Sequence, residues 1–165
     1  MIRISRVRTA FAGLVLAAVL GGCGFQPLYT GPGYQLLPGL EIDAGNDRVG
    51  YLVEDALRDF IGDGRSPYRV EIQSEFVESP LGLSAAGRAT RFRAELRTVY
   101  RLTGPEGFEY IGRATEAVFY DAPRDPYALI AARSAGEERA AEQIAERLAI
   151  EFATAIQRAE DEQAS

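Results

Sequence analysis

Apolar residues along this chain keep one of two periods. Val49, Leu52, Val53, Ala56, Leu57 and Phe60 recur at helical spacing, with Glu54, Asp55, Arg58 and Asp59 on the opposite side. Such a stripe predicts an amphipathic helix that buries one face. Gly45-Asn46-Asp47 supplies turn and N-cap chemistry before it, and Gly62-Asp63-Gly64 closes it. Two later runs alternate instead. Tyr68, Val70, Ile72 and Phe76 interleave with Arg69, Glu71, Gln73 and Glu75; Phe92, Ala94, Leu96, Tyr100 and Leu102 interleave with Arg91, Arg93, Glu95, Arg97 and Arg101. A period of two marks antiparallel strands with one buried face. Leu40 and Ile42, alternating with Glu41 and Asp43, suggest a short first strand.

The segments between these runs set the order. Ser79 to Gly87 reads as a loop of small residues. Gly104-Pro105-Glu106-Gly107 turns the chain into a third strand, Phe108 to Tyr120, with apolar residues on both faces. That strand is either central in the sheet or covered by a partner. Asp125 and Pro126 fit the N-cap and first position of a second helix. Its stripe runs through Ile130, Ala141, Ile144, Ala145, Leu148, Phe152 and Ile156 to Ala159, and Gly136 leaves open whether it is one helix or two. The order is β-α-β-β-β-α. Two helices on one face of a four-stranded, mainly antiparallel sheet bury both stripes most simply, an α+β domain. The domain is expected at residues 39–160, with 161–165 a polar, frayed tail.

The first 22 residues have another character. Arg3, Arg6 and Arg8 precede an apolar run from Ala10 to Leu20, too short for the roughly 20 residues a membrane span needs. The run reads as the core of a secretory signal, and Leu20-Gly21-Gly22-Cys23 resembles a bacterial lipobox. Cleavage there would make Cys23 the acylated first residue; an ordinary signal peptide that ends near a Cys is the competing reading. Two or three acyl chains anchor firmly where one holds marginally. Gly24 stands where an Asp commonly retains lipoproteins at the inner membrane, which favours the outer membrane. Residues 23–38, with Pro27, Pro32 and several glycines, then form an extended tether.

Composition narrows the chemistry. The chain has no His, no Trp and one Cys, and all 18 of its basic residues are Arg. His-based acid–base catalysis, Lys Schiff bases, His/Cys zinc sites and intrachain disulfides are therefore excluded. No Gly-x-Ser-x-Gly elbow exists, and Gly104–Gly107 is hairpin chemistry without the Gly-Lys-Ser/Thr of a phosphate loop. Helical carboxylates recur on the polar side, as a solvated face does. No catalytic residue, metal site or cofactor is expected. Losing residues 1–22 removes three Arg and no acid, so 15 Arg face 24 acids and the net charge falls from −6 to −9. Such a chain repels nucleic acid, and any anionic ligand must be met by a local Arg cluster.

One such cluster exists. Arg91, Arg93, Arg97 and Arg101 share a strand face, with Arg88 just before it and only Glu95 in the row. Like charges on adjacent same-face positions repel, and guanidinium forks suit phosphate or carboxylate. The alternative is cross-strand pairing with Glu71, Glu75, Glu109 or Glu116. Arg124 and Arg133 flank the start of the second helix and read singly as surface cations.

Cys23-Gly-Phe-Gln-Pro-Leu-Tyr29 resembles the mature opening of the LptE family of lipopolysaccharide-assembly lipoproteins. Gly112-Arg-Ala-Thr-Glu-Ala-Val-Phe-Tyr-Asp-Ala-Pro-Arg-Asp-Pro126, a last strand running into an Asp-Pro helix start, extends the resemblance over essentially the whole mature chain. The resemblance implies a non-enzymatic protein that plugs the LptD β-barrel of the outer membrane, assists barrel assembly and meets lipopolysaccharide on its way outward. Basic residues near the family's central hairpin and near the start of its last helix have been linked to lipopolysaccharide contact. By position Arg88, Arg91, Arg93 and Arg133 match these, and Arg97 and Arg101 continue the row. The family often carries Lys at such places; here there is none. Two rivals remain: an accessory lipoprotein of another envelope system, such as an ABC-type lipid transporter, and a lipid-anchored hydrolase.

Overall fold

The structure is a computed structural model that describes residues 37–62 and 64–163. The signal segment, Cys23 and the tether through residue 36 lie outside the described residues. Strand β1 is Leu37–Pro38, β2 Glu41–Asp43, helix α1 Arg48–Arg58, and β3 Ile61–Gly62. Long strands follow, β4 at Arg69–Leu83 and β5 at Ala89–Thr103, then a 3-10 turn at Pro105–Gly107, β6 at Glu109–Asp121 and α2 at Pro126–Gln163. The main sheet runs β2-β4-β5-β6, with β2 parallel to β4 and the other neighbours antiparallel. This is the expected α+β plan, with one addition: β1 and β3 pair as a separate two-residue parallel ladder. Leu37, read from the sequence as the end of the tether, is fully buried in the core.

Each helix starts on an Asp. The Asp47 carboxylate accepts from the Gly50 N–H at 3.3 Å, and that of Asp125 from the Ala128 N–H at 2.8 Å, just before Pro126. These caps satisfy donors that the first helical turn leaves unpaired. Helix α1 packs over β4 and α2 over β5 and β6. Val53 and Leu57 of α1 and Ile144, Leu148 and Phe152 of α2 close the core on Val70, Leu96 and Leu102. Thr98, the polar residue among the inward positions of β5, is satisfied by the Ser74 hydroxyl at 3.0 Å.

The structure departs from the periodicity in three places and decides two that it left open, the place of β6 and the continuity of α2 at Gly136. Residues 79–83 are strand, with Ser79 opposite Arg93 and Pro80 opposite Phe92. Pairing needs backbone groups rather than apolar side chains, and Pro80 is tolerated because β2 covers β4 only along Arg69–Glu71. Helix α1 stops at Arg58, so Phe60 leads into β3 and packs from outside the helix. Strand β6 is at the sheet edge, not central. Ile130 is 65% exposed; Leu129 and Ala132 take the inward positions at the start of α2. Finally, α2 is unbroken at Gly136, whose missing side chain makes room for the Tyr120 ring, and the helix continues through the polar end to Gln163.

Candidate functional site

Alternation in β5 sends Phe92, Ala94, Leu96, Tyr100 and Leu102 toward the helices and leaves Arg91, Arg93, Glu95, Arg97, Val99 and Arg101 on the open face. The Arg row is therefore real, and at about 3.3 Å per residue it extends some 33 Å. Each of its members also has a carboxylate partner, four arginines sharing three acids. Arg91 pairs with Asp121 at 3.2 Å, Arg93 and Arg97 both reach Glu95, at 2.8 and 2.7 Å, and Arg101 reaches Glu109 at 2.9 Å. Of the four acids anticipated as partners, only Glu109 takes that part. Glu71 and Glu75 lie opposite Arg101 and Arg97 in register without bridging to them, and Glu116 turns to the helix side, 3.5 Å from Arg147.

Glu95, held first by the hydrogen bond from Arg97 and then by the charges of Arg93 and Arg97, keeps its carboxyl below the usual carboxylate range despite some desolvation. These pairs are solvent-exposed, where water and salt screen them and each contributes little. They reduce the field of the row without fixing it rigidly. Between them lie the exposed Val99, Ile111 and Phe119, so the open face mixes ion pairs with apolar side chains.

The hairpin end of the sheet is different. Ser84 to Arg88 closes the β4–β5 hairpin, the Ser84 N–H donating to the Arg88 carbonyl at 2.8 Å. Gly87, at φ +75°, supplies the left-handed residue of the turn. Neither Arg88 nor Arg124 has an ion pair among the described residues. The Ala122 N–H bonds the Thr90 carbonyl at 2.9 Å, which brings the segment before α2 to this same end. Leu81, Leu83, Phe119, Tyr127 (83% exposed) and Ile130 are all solvent-facing there. Unpaired guanidinium groups beside uncovered apolar side chains suit an amphiphile with an anionic head.

Arg133 is brought to this end but on the other side of the sheet. It bonds Glu78 at 3.4 Å and Glu137 at 3.1 Å, and Arg48 reaches the same Glu137 carboxylate at 2.8 Å. Glu137 is only 7% exposed, a buried acid held between α1 and α2. Sequence reasoning placed Arg133 with the binding candidates and missed Glu137, whose acidic neighbours mask it. The structure ties Arg133 into this clamp and leaves Arg88, Arg91 and Arg93 clustered on the hairpin and the open face.

At the opposite end, the Tyr100 hydroxyl donates to Glu151 at 2.5 Å, and Arg147 bonds the same carboxylate at 3.0 Å. Burial first, then the bond to Glu151, raises the Tyr100 hydroxyl well above its ordinary value. No cluster of metal-ligating side chains and no helix long and apolar enough to cross a membrane occurs among the described residues.

A family model described as LptE, lipopolysaccharide-assembly, matches residues 37–156. Among solved structures, a protein described as a lipoprotein from Caulobacter crescentus CB15 is 29% identical, with a TM-score of 0.56 over 70% of this chain and 88% of its own. The rare lipoprotein B of Shewanella oneidensis is 16% identical, with a TM-score of 0.58 over 75% of this chain and 98% of its own, a likeness of fold. No curated protein matches the chain in sequence.

Proposed function

Starting from the family to which the chain belongs, the LptE lipopolysaccharide-assembly proteins, we propose that it is a non-enzymatic outer-membrane lipoprotein, anchored through acylated Cys23, that plugs a β-barrel of the LptD type. In this role it helps the barrel assemble and hands lipopolysaccharide to the outer leaflet. The observation that carries the reading is the uncovered side of the main sheet. Both helices pack on one face, and the other presents Arg91, Arg93, Arg97 and Arg101, each bonded to a carboxylate, among Val99, Ile111 and Phe119. A water-filled barrel lumen is polar, and a surface whose row of arginines is already bonded to carboxylates enters it at a reduced desolvation cost.

The hairpin end supports the lipopolysaccharide step. Arg88 and Arg91 suit lipid A phosphates, and Leu81, Leu83 and Tyr127 suit its acyl chains. Arg93 sits next to them; Arg97 and Arg101 belong to the barrel-facing stretch, and Arg133 serves as the clamp on Glu137 and Glu78. The domain boundaries serve the same scheme, with residues 1–22 removed and 23–36 linking the anchor to the folded body.

The deciding experiment tags the C-terminus, extracts membranes in mild detergent and identifies what co-purifies. Stoichiometric recovery of a large outer-membrane β-barrel is expected. Recovery alone, or with an inner-membrane lipid transporter, would overturn the plug reading in favour of an accessory lipoprotein.

A further inference from the structure

The main sheet has two outer edges, and they are finished differently. Strand β4 loses its β2 neighbour after Glu71, and from there its edge carries Glu75, Glu78, Pro80 and a register irregularity between Pro80 and Gly82. Charges, proline and bulges on an edge discourage further pairing. Strand β6 also carries charges, at Glu109, Arg113, Glu116 and Asp121, but lacks the other two stops. It runs 13 residues without proline or bulge, pairs only with β5 among the described residues, and carries apolar side chains on both faces.

Along the first half of β6 lies a groove of about 560 Å³ between that strand and the C-terminal half of α2. Phe108, Tyr110, Ile150, Thr154 and Arg158 line it. Gly112 lines it without a side chain of its own, and the Tyr100 ring lies across that position on the helix side of the edge. On the open face the next position is Arg113, and neither Arg113 nor Arg158 has an ion pair among the described residues. Every acid of β6, by contrast, is paired: Glu109 with Arg101, Glu116 with Arg147 and Asp121 with Arg91. Glu162 lines the groove as well, without an ion pair among the described residues, so the charge left free there is two guanidinium groups against one carboxylate.

We propose that the β6 edge is a docking site for an extended segment of another polypeptide, which adds to the sheet as a fifth strand with apolar and acidic side chains alternating. Strand addition draws affinity from main-chain hydrogen bonds and selectivity from alternate side chains. Apolar side chains of the added strand enter the groove beside Tyr110 and Ile150. Acidic ones lie on the open face against Arg113, and the strand's end reaches Arg158. A second copy of this chain is a poorer occupant, because pairing two β6 strands along their full length opposes Glu109 to Asp121 at both ends. The site is separate from the hairpin end and from the Arg row, and its test uses neither lipopolysaccharide nor a barrel.

The test follows amide hydrogen exchange in the full-length protein, isotope-labelled and held in mild detergent, during titration with a capped nine-residue peptide of alternating Val and Glu. The expected result is saturable slowing of those β6 amides that exchange fast in the free protein, because strand addition pairs the outward N–H groups. The matching Val/Lys peptide should bind about fivefold more weakly, and Arg113→Glu should reverse that preference. Unchanged β6 exchange at saturating peptide, or equal binding of the two peptides to the wild-type protein, overturns the proposal. So does a β6 edge already protected in the free protein: protection that grows with protein concentration assigns the edge to a second copy, and concentration-independent protection lost on deleting residues 24–36 assigns it to the chain's own N-terminal segment.

Discussion

Gly112 gives the sharpest test of how β6 and α2 fit together. A Cβ built on this residue would fall on the Tyr100 hydroxyl and ring carbons. Tyr100 crosses over Gly112 from the neighbouring strand, rests edge-on against Phe152 at 5.0 Å between ring centroids, and ends on Glu151 at 2.5 Å. Gly112→Ala must push that ring aside. Overpacking a filled core costs about 1–3 kcal/mol, and losing a hydrogen bond to a charged group about 1.5–3 kcal/mol. Alanine returns roughly 0.5–1 kcal/mol, because glycine in a strand loses more backbone entropy on folding. The net loss should be about 1.5–5.5 kcal/mol, read by urea unfolding followed by far-ultraviolet circular dichroism. In a Tyr100→Leu background the obstruction is gone, so the same Gly112→Ala change should be neutral or stabilising by up to about 1 kcal/mol. The sign change is the point. If alanine costs the same in both backgrounds, Tyr100 is not what requires glycine at this position.

Three further outcomes are expected. Tyr100→Phe should lower stability by a constant amount between pH 7 and about 9, and the difference from wild type should shrink above about pH 10. The sign follows from the raised hydroxyl: its contribution is complete below the unfolded-state value and is lost as the pH climbs toward the folded-state one. The Glu95 carboxyl, followed by carbon NMR, should titrate below an ordinary glutamate, and Arg97→Ala should move its midpoint upward; its share of stability is present above the ordinary carboxylate range and lost as the pH falls through the folded-state value. Arg91→Glu with Arg93→Glu should weaken lipopolysaccharide binding with an unchanged circular dichroism spectrum, and unchanged binding by that folded variant would mean the pair faces the barrel wall instead.

What the sequence made legible divides along the range of the interactions. Period and caps are local, so the α1 stripe, the Asp125-Pro126 start of α2 and the faces of β4 and β5 all follow from the order of the residues alone. Strand order is not local. Apolar residues on both faces of β6 fit a central strand as well as a covered edge, and only the pairing with β5 alone decides. The β1–β3 ladder was invisible for the same reason: two residues at each partner carry no period. Gly136 misleads for a subtler one. Its helix penalty is about 1 kcal/mol, but its missing side chain admits Tyr120, a tertiary gain that propensity does not contain.

The Arg row shows the same limit within the candidate site. Its face was fixed by alternation, and its partners depended on register. The acid that holds two of its members is Glu95, which interrupts the row in sequence and bridges it in space. A strand places residues i and i+2 on one face about 7 Å apart, a span that a glutamate and an arginine close easily. An acid between arginines two residues away on each side is thus a partner as much as an interruption. With Arg91 and Arg101 held by the flanking Asp121 and Glu109, every arginine of the row has a carboxylate partner. At the end where Leu81, Leu83 and Tyr127 stand uncovered, Arg88 and Arg124 have no ion pair among the described residues. An anionic amphiphile should therefore be captured at the hairpin end first and recruit Arg91 only by displacing Asp121. The two ends of the row should then differ in salt dependence, because a cation already paired gains less from a new anion than a free one does.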